Sequence, residues 1–345
     1  MKLVKSGFCT VVFVFSLLSL FAQDRKLLLD KPGSFKITVD KLNGLGPDEY
    51  GRTCDFTDAE CKVAVKNLTA LLSVFRKTAV LTENKGFDGI NYLNAGNCNT
   101  KFGYGLPCTV YILFETWSLI KGKIVKQTVE PPQFRFEVNR TTVFNKNGFE
   151  ETNYSNAYNP TNPAYNEKGM NEATVAINEL FYMPGVKEEV VPGIDRYGNN
   201  LVIYNPDRPA YWDQVTIREV FRLLFDYWKR VPDKATMEPM MEVFEAEYAT
   251  YSESERDSFA YFGSPESISR IGSAKNNTPV MRSNPDYWNK KLPRSDIQFM
   301  VLEIPPQKTL ENEVKTLLEK QDGGYYVSRM LYELDIDNLR HEIAH

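Results

Sequence analysis

The two histidines of the sequence both lie in its last five residues, His341-Glu342-Ile343-Ala344-His345. Residues four apart lie on one face of an α-helix, so His341 and His345 could occupy two corners of a tetrahedral zinc site. Zinc makes a bound water acidic, and Glu342 could accept that proton and pass it to a leaving amine. The residue types and their spacing therefore indicate metal-assisted hydrolysis as one candidate chemistry.

This His-Glu-x-x-His pattern resembles the zinc-binding helix of the zincin metallopeptidases. The resemblance implies that His341 and His345 are zinc ligands and that Glu342 is the general base. It covers five residues. Zincins supply a third ligand downstream of the motif, so completion of this site by an upstream carboxylate or by the terminal carboxylate would depart from the family. The alternative interpretation is an amphipathic C-terminal helix with Leu339 and Ile343 facing inward and both histidines in solvent.

Other catalytic patterns are incomplete in the sequence. A nucleophilic triad that needs a histidine has only the same two to draw on. The glycines at Gly193 and Gly198 lack the spacing of a phosphate-binding loop. The 45 acidic residues supply carboxylates throughout the chain, so no particular pair indicates glycoside cleavage.

The N-terminus has the layout of a secretory signal peptide. Lys2 and Lys5 precede an apolar run from Phe8 to Phe21, and polarity begins abruptly after Ala22. The Ser-Leu-Phe-Ala-Gln ending of this segment resembles the signal peptides of exported proteins of Gram-negative bacteria. We therefore expect residues 1–22 to be removed and the mature chain to be periplasmic or extracellular. An uncleaved N-terminal anchor is the alternative.

Four cysteines lie beyond the predicted signal peptide: Cys54, Cys61, Cys98 and Cys108. An even number of cysteines in an exported chain predicts two disulfides. The interpretation that we favour pairs Cys54 with Cys61 and Cys98 with Cys108, and the main competitor pairs Cys54 with Cys108 and Cys61 with Cys98. A zinc site made of all four thiolates is the functional alternative, but the spacings are wider than zinc prefers.

Composition narrows the class of protein. The chain has 345 residues with a formal net charge of −4, and its pI is about 5.5. This charge leaves no basic surface to neutralise phosphates, so we expect no nucleic-acid partner. After the signal peptide, no apolar stretch is long enough for a membrane span. The sequence thus predicts a folded, mildly acidic, soluble mature protein.

The patterns along the chain predict an α+β fold of antiparallel sheets and packed helices. Alternating residues predict a strand at Phe35 to Val39, and a stripe of apolar residues from Cys61 to Phe75 predicts a helix that begins at Thr57 or Asp58. Lys121-Gly122 is typical of a hairpin turn. Thr216 and Glu219 form a capping-box pattern before a second strong helix.

These elements predict two subdomains. A disulfide-stabilised α+β region spans 23–144, an Asn/Tyr/Pro-rich linker spans 145–169, and a helix-rich second α+β region spans 170–345. The linker could also contact glycans, because tyrosine rings such as that of Tyr158 offer stacking faces. Other aromatic side chains that could form a ligand platform are Tyr211, Trp212, Trp228 and Trp288, but side chains of this kind more often pack in or over a core, which is the interpretation that we favour.

The leading hypothesis for function is an exported, non-catalytic protein that binds a partner or has a structural role in the cell envelope. It needs no cofactor, and its partner could be a glycan or a cell-envelope protein. The first alternative is a zinc-dependent peptidase using His341, Glu342 and His345. The second is a glycan-binding protein.

Overall fold

The structure is a computed structural model of the chain. It describes residues 27–39, 56–95, 104–140, 147–148, 170–182 except 171, 174–175 and 178, then 187–264, 267–272, 279–320 and 322–344. The predicted signal peptide and most of the predicted linker, including Tyr158, lie outside the described residues.

The strands, in chain order, are β1 (Phe35–Val39), β2 (Phe87–Ala95), β3 (Cys108–Ile120), β4 (Lys123–Lys126), β5 (Gln133–Val138), β6 (Asn147–Gly148), β7 (Phe181–Tyr182), β8 (Lys187–Val191), β9 (Ile194–Tyr197), β10 (Asn200–Tyr204), β11 (Trp212–Gln214), β12 (Tyr261–Ser264), β13 (Ser267–Gly272), β14 (Met281–Ser283) and β15 (Phe299–Glu303). Nine of them form one sheet in the order β1-β2-β3-β5-β15-β10-β9-β8, with β4 paired to β3. The β1–β2 pair is parallel, and the other pairs of this sheet are antiparallel.

The helices whose bounds the structure gives are α1 (Asp58–Arg76), α2 (Ala79–Glu83), α3 (Ile217–Arg230), α4 (Lys234–Ala249), α5 (Glu253–Arg256), α6 (Gln307–Lys320), α7 (Gly324–Glu333) and α8 (Ile336–Arg340). Thr57, one of the two caps that the sequence leaves open, caps α1 through a capping box with Glu60. Thr216 caps α3 by accepting from the backbone N–H of Glu219, while the Glu219 carboxylate forms an ion pair with Arg282. The predicted mixed α+β fold with a mostly antiparallel sheet is therefore confirmed.

One face of the nine-stranded sheet forms the main core. Helix α1 lies on it, and the ring of Phe75 stacks on that of Phe136 from β5 at 5.1 Å between centroids. Tyr326 from α7 packs against Phe87 of β2 in the same core. A second core lies between α3 and α4, and a third, aromatic core covers part of the opposite sheet face.

The two predicted subdomains share the large sheet. Strands β1 to β5 come from the region 23–144, whereas β8, β9, β10 and β15 come from 170–345. Strand β15 lies between β5 and β10 and pairs with both. The main core accordingly contains side chains from both regions, such as Phe136 and Met300.

The predicted disulfide stabilisation of the N-terminal part is not supported by the structure. No disulfide joins the described cysteines, and Cys61 is a free thiol that is 0% exposed on the inward face of α1. Its pKa is raised by burial and by the nearby charges of Glu60 and Asp58. Cys61 therefore acts as a small apolar core residue, and a bond from Cys61 to Cys54 or Cys98 is not supported. Cys54 and Cys98 lie outside the described residues.

No helix in the described part of the chain combines the length and the apolar character that crossing a bilayer requires.

The packing of α1 on the sheet gives a direct test of the fold. Leu71 is 0% exposed in the main core, so Leu71→Ala is expected to lower the free energy of unfolding by about 2–5 kcal/mol. Val63 on the same helix is 44% exposed, and Val63→Ala should change the free energy by less than about 0.5 kcal/mol. Urea denaturation followed by circular dichroism measures both values. Equal effects of the two substitutions would contradict the burial of this helix face.

Candidate functional site

The structure does not form the helix that the zinc motif requires. Helix α8 ends at Arg340, and His341 is its C-terminal cap. The backbone N–H of Ala344 then bonds to the carbonyl of Ile297 at 2.7 Å, which fixes the chain in a turn beside the sheet. His345 lies outside the described residues. Because the helix ends at Arg340, five residues before His345, the structure gives no support to placing His345 on one helical face with His341.

The residues around the motif pack against the main core. Leu339 and Ile343 are buried in the main core, as the amphipathic interpretation expects, while His341 is exposed. Within the described residues, no group of three or more His, Cys, Asp or Glu side chains could hold a metal ion. No described side chain therefore completes a metal site with His341, and Glu342 has no described metal site beside it.

The aromatic side chains proposed as a ligand platform are largely buried. Tyr211, Trp212 and Trp288 belong to the aromatic core, each no more than 5% exposed. Trp228 is half-buried and packs against the core between α3 and α4. The rings of Tyr211, Trp212 and Trp288 thus cover the sheet instead of facing solvent, as the favoured core-packing interpretation expects, and the alternative of an exposed platform is not supported.

A buried carboxylate lies under the aromatic core. Asp195 on β9 is 0% exposed and accepts a hydrogen bond from the Tyr211 hydroxyl at 2.5 Å and an ion-pair contact from Lys187 at 2.8 Å. The Tyr211 hydroxyl also lies 3.0 Å from that of Tyr197. Burial is the main cause that raises the pKa of both phenols, for Tyr197 to about 12. At neutral pH the phenols are protonated and anchor the aromatic core to the buried carboxylate.

A cavity of about 430 Å³ lies on the other side of the molecule, where the end of β3 meets the turn between α6 and α7. Its volume falls within the range of small-ligand sites. It is lined by Leu28, Leu29, Gly86, Thr116, Trp117, Ser118, Leu119, Gln127, Leu317, Leu318, Asp322, Gly323, Tyr325 and Tyr326. Apolar and aromatic groups thus alternate with a few hydrogen-bonding groups, as in many binding sites.

Close contacts fix the walls of this cavity. A Cβ atom added at Gly86, whose φ is +83°, would lie 1.9 Å from the Tyr326 hydroxyl, so only glycine lets Tyr326 approach. At Gly323, an added Cβ would lie 2.8 Å from Pro132. The helix turn is therefore held tightly against the sheet.

The Trp117 ring is held by a charged network. The ammonium groups of Lys31 and Lys126 lie 4.3 and 5.6 Å from its ring centroid. Lys126 forms ion pairs with Asp88 at 3.0 Å and with Glu115 at 2.9 Å. Burial raises the pKa of Asp88, but hydrogen bonds from Ser34 and Lys126 outweigh it and hold the pKa below its usual value. The carboxylate therefore stays charged and keeps Lys126 in place at neutral pH.

Sequence reasoning missed this cavity, including Trp117, Tyr325 and Asp322. The alternation of β3 shows that Trp117 lies on the strand face opposite Thr116, but the helix turn that closes the cavity comes about 200 residues later and only the fold brings it there. The chain matches no protein-family model, no curated protein and no solved structure.

The geometry around α8 predicts that the C-terminal motif does not hold stoichiometric zinc. We expect elemental analysis of the purified protein to find far less than one zinc per chain, with the same content in His341→Ala and Glu342→Gln. Added zinc should leave the melting temperature of all three proteins unchanged. One zinc per chain that disappears in His341→Ala would contradict this expectation.

Proposed function

We propose that the chain is an exported, non-catalytic binding protein of the cell envelope and that the cavity beside Trp117 holds its ligand. The observation that carries this proposal is a preformed cavity whose described lining combines three aromatic side chains with the hydroxyl, amide and carboxylate groups of Thr116, Gln127 and Asp322. Its described lining thus offers aromatic surface and hydrogen-bonding groups to a ligand.

A glycan is the ligand class that this lining favours. Sugars present apolar C–H faces that suit aromatic rings such as Trp117 and Tyr325, and hydroxyls that suit polar groups such as Asp322. The Trp117 indole N–H is buried and has no hydrogen-bond acceptor among the described residues. A ligand that supplies an acceptor oxygen would remove the cost of that unpaired donor.

The proposal also includes export of the chain and one disulfide bond, between Cys98 and Cys108. Cys108 begins β3, and its Cα partner across the ladder is Ala95 at the end of β2. Cys98 follows Ala95 by three residues, a stretch that reaches at most about 11 Å. A Cys98–Cys108 bond would thus close the β2–β3 connection locally, and it would leave Cys61 as a buried thiol.

Ligand binding is tested by filling the cavity. Ser118 lines it, so Ser118→Phe is expected to weaken binding at least tenfold, whereas Ala246→Phe on the exposed face of α4 should have no effect. A glycan array first identifies the glycans that bind the protein. These glycans and N-acetylglucosamine oligosaccharides are then titrated into the protein, and binding is measured by the change in tryptophan fluorescence. Binding that Ser118→Phe leaves intact would place the ligand elsewhere, and no binding to any glycan would remove the glycan proposal.

Export and the disulfide are tested together on protein made in a Gram-negative bacterium. We expect the mature chain in the periplasmic fraction, starting at Gln23, with a non-reduced peptide that links Cys98 to Cys108 and an alkylatable Cys61 after unfolding. Peptide mass spectrometry measures all three properties. A full-length chain in the cytoplasmic fraction would contradict export, and a Cys61 bond would contradict the pairing.

A further inference from the structure

The hairpin formed by β3 and β4 carries an unusual amount of exposed apolar surface. Between residues 119 and 129, five large apolar side chains are exposed: Leu119 (38%), Ile120 (53%), Ile124 (40%), Val125 (42%) and Val129 (77%). Elsewhere in the described part of the chain, exposed large apolar residues are scattered along the sequence. A concentration of this kind marks an interaction surface.

Both faces of the hairpin are apolar. Leu119 pairs with Ile124, so these two side chains share one face, while Ile120 and Val125 lie on the opposite face. The neighbouring strand β5 pairs with β3 only from Cys108 to Leu113, so the outer end of the hairpin extends beyond it. The apolar side chains at this end therefore contribute little to the core.

Positive charge lies at the tip of the hairpin. The two-residue turn consists of Lys121 (φ 51°) and Gly122 (φ 74°), and Lys123 follows. Lys121 and Lys123 are exposed, and no ion pair between described residues involves either of them. Lys126 at the base is instead held by Asp88 and Glu115.

We propose that this hairpin docks the protein onto an anionic phospholipid bilayer. A protein partner would cover one face of the ribbon, whereas the boundary between headgroups and acyl chains surrounds both faces. The ribbon from the Trp117–Lys126 pair to the Ile120–Lys123 pair spans three residue steps, which is about 10 Å. This length matches the depth to which interfacial elements enter a bilayer, about 5–10 Å.

Lys121 and Lys123 would make the hairpin prefer anionic lipids. The two lysines lie at the inserted tip, and their aliphatic stems would run back along the apolar side chains so that the ammonium groups reach the lipid phosphates. Each basic residue near an anionic bilayer strengthens binding about fivefold, and salt weakens the contribution. The proposal does not depend on the cavity or its ligand, so the failure of one leaves the other standing.

The test is sedimentation of the mature chain with two kinds of vesicle, one of phosphatidylcholine alone and one of equal parts of phosphatidylcholine and phosphatidylglycerol. We expect binding to the mixed vesicles that weakens as salt is added, and much weaker binding to phosphatidylcholine alone. Ile120→Asp with Ile124→Asp should reduce binding at least tenfold, and Lys121→Glu with Lys123→Glu should do the same. Val63→Asp with Val243→Asp is the matched control, since both positions are exposed on helices, and it should bind like the unchanged chain.

Circular dichroism melts confirm that each variant is folded. No binding to either vesicle, equal binding to both, or binding unchanged in the Ile120→Asp, Ile124→Asp variant would overturn the proposal. Hairpin-dependent dimerisation on size-exclusion chromatography without vesicle binding would also overturn it, because the surface would then be an interface between two copies.

Discussion

The fold depends on the hydrogen bonding of β15 between β5 and β10. This strand comes from the last fifth of the chain, yet it supplies the centre of the nine-stranded sheet. Without it, β5 and β10 would each expose an unpaired edge, and the apolar side chains of Met300 and Leu302 would be missing from the main core. The regions on either side of the Asn-rich segment therefore cannot complete their packing independently, and the sheet makes them one structural unit.

The register of the same sheet is fixed by two buried acidic side chains on its second face. Val301 of β15 pairs with Glu137 on one side and with Val202 on the other, and Val202 pairs with Asp195. The two buried carboxylates thus share one cross-strand row. Burial raises the pKa of Glu137 despite the opposing charges of its arginine neighbours, and Asp195 is paired with Lys187. A slip of one residue would move these carboxylates into the apolar core, which costs several kcal/mol.

Local patterns predicted the elements better than their arrangement. The strand Phe35–Val39, the Thr57 cap and the Lys121-Gly122 turn follow from short-range propensities, and the structure has them where the sequence indicated. The end of the last helix at Arg340 does not follow from short-range propensities, because it depends on a backbone hydrogen bond from Ala344 to the distant Ile297. The cavity likewise arises from long-range packing, which composition and spacing do not report.

The hairpin shows why an element can be predicted correctly while its role is missed. Alternation in β3 indicates a strand, but it does not tell where neighbouring strands stop, and β5 stops pairing at Leu113. Phe114 and Thr116 are still buried, but from Leu119 to Val125 the side chains on both faces of the hairpin are exposed, so folding does not require Ile120 or Ile124 to be apolar. Exposed apolar side chains invite aggregation and gain nothing for the core. Their presence beside two exposed lysines is explained when the hairpin meets a surface that is apolar inside and anionic outside.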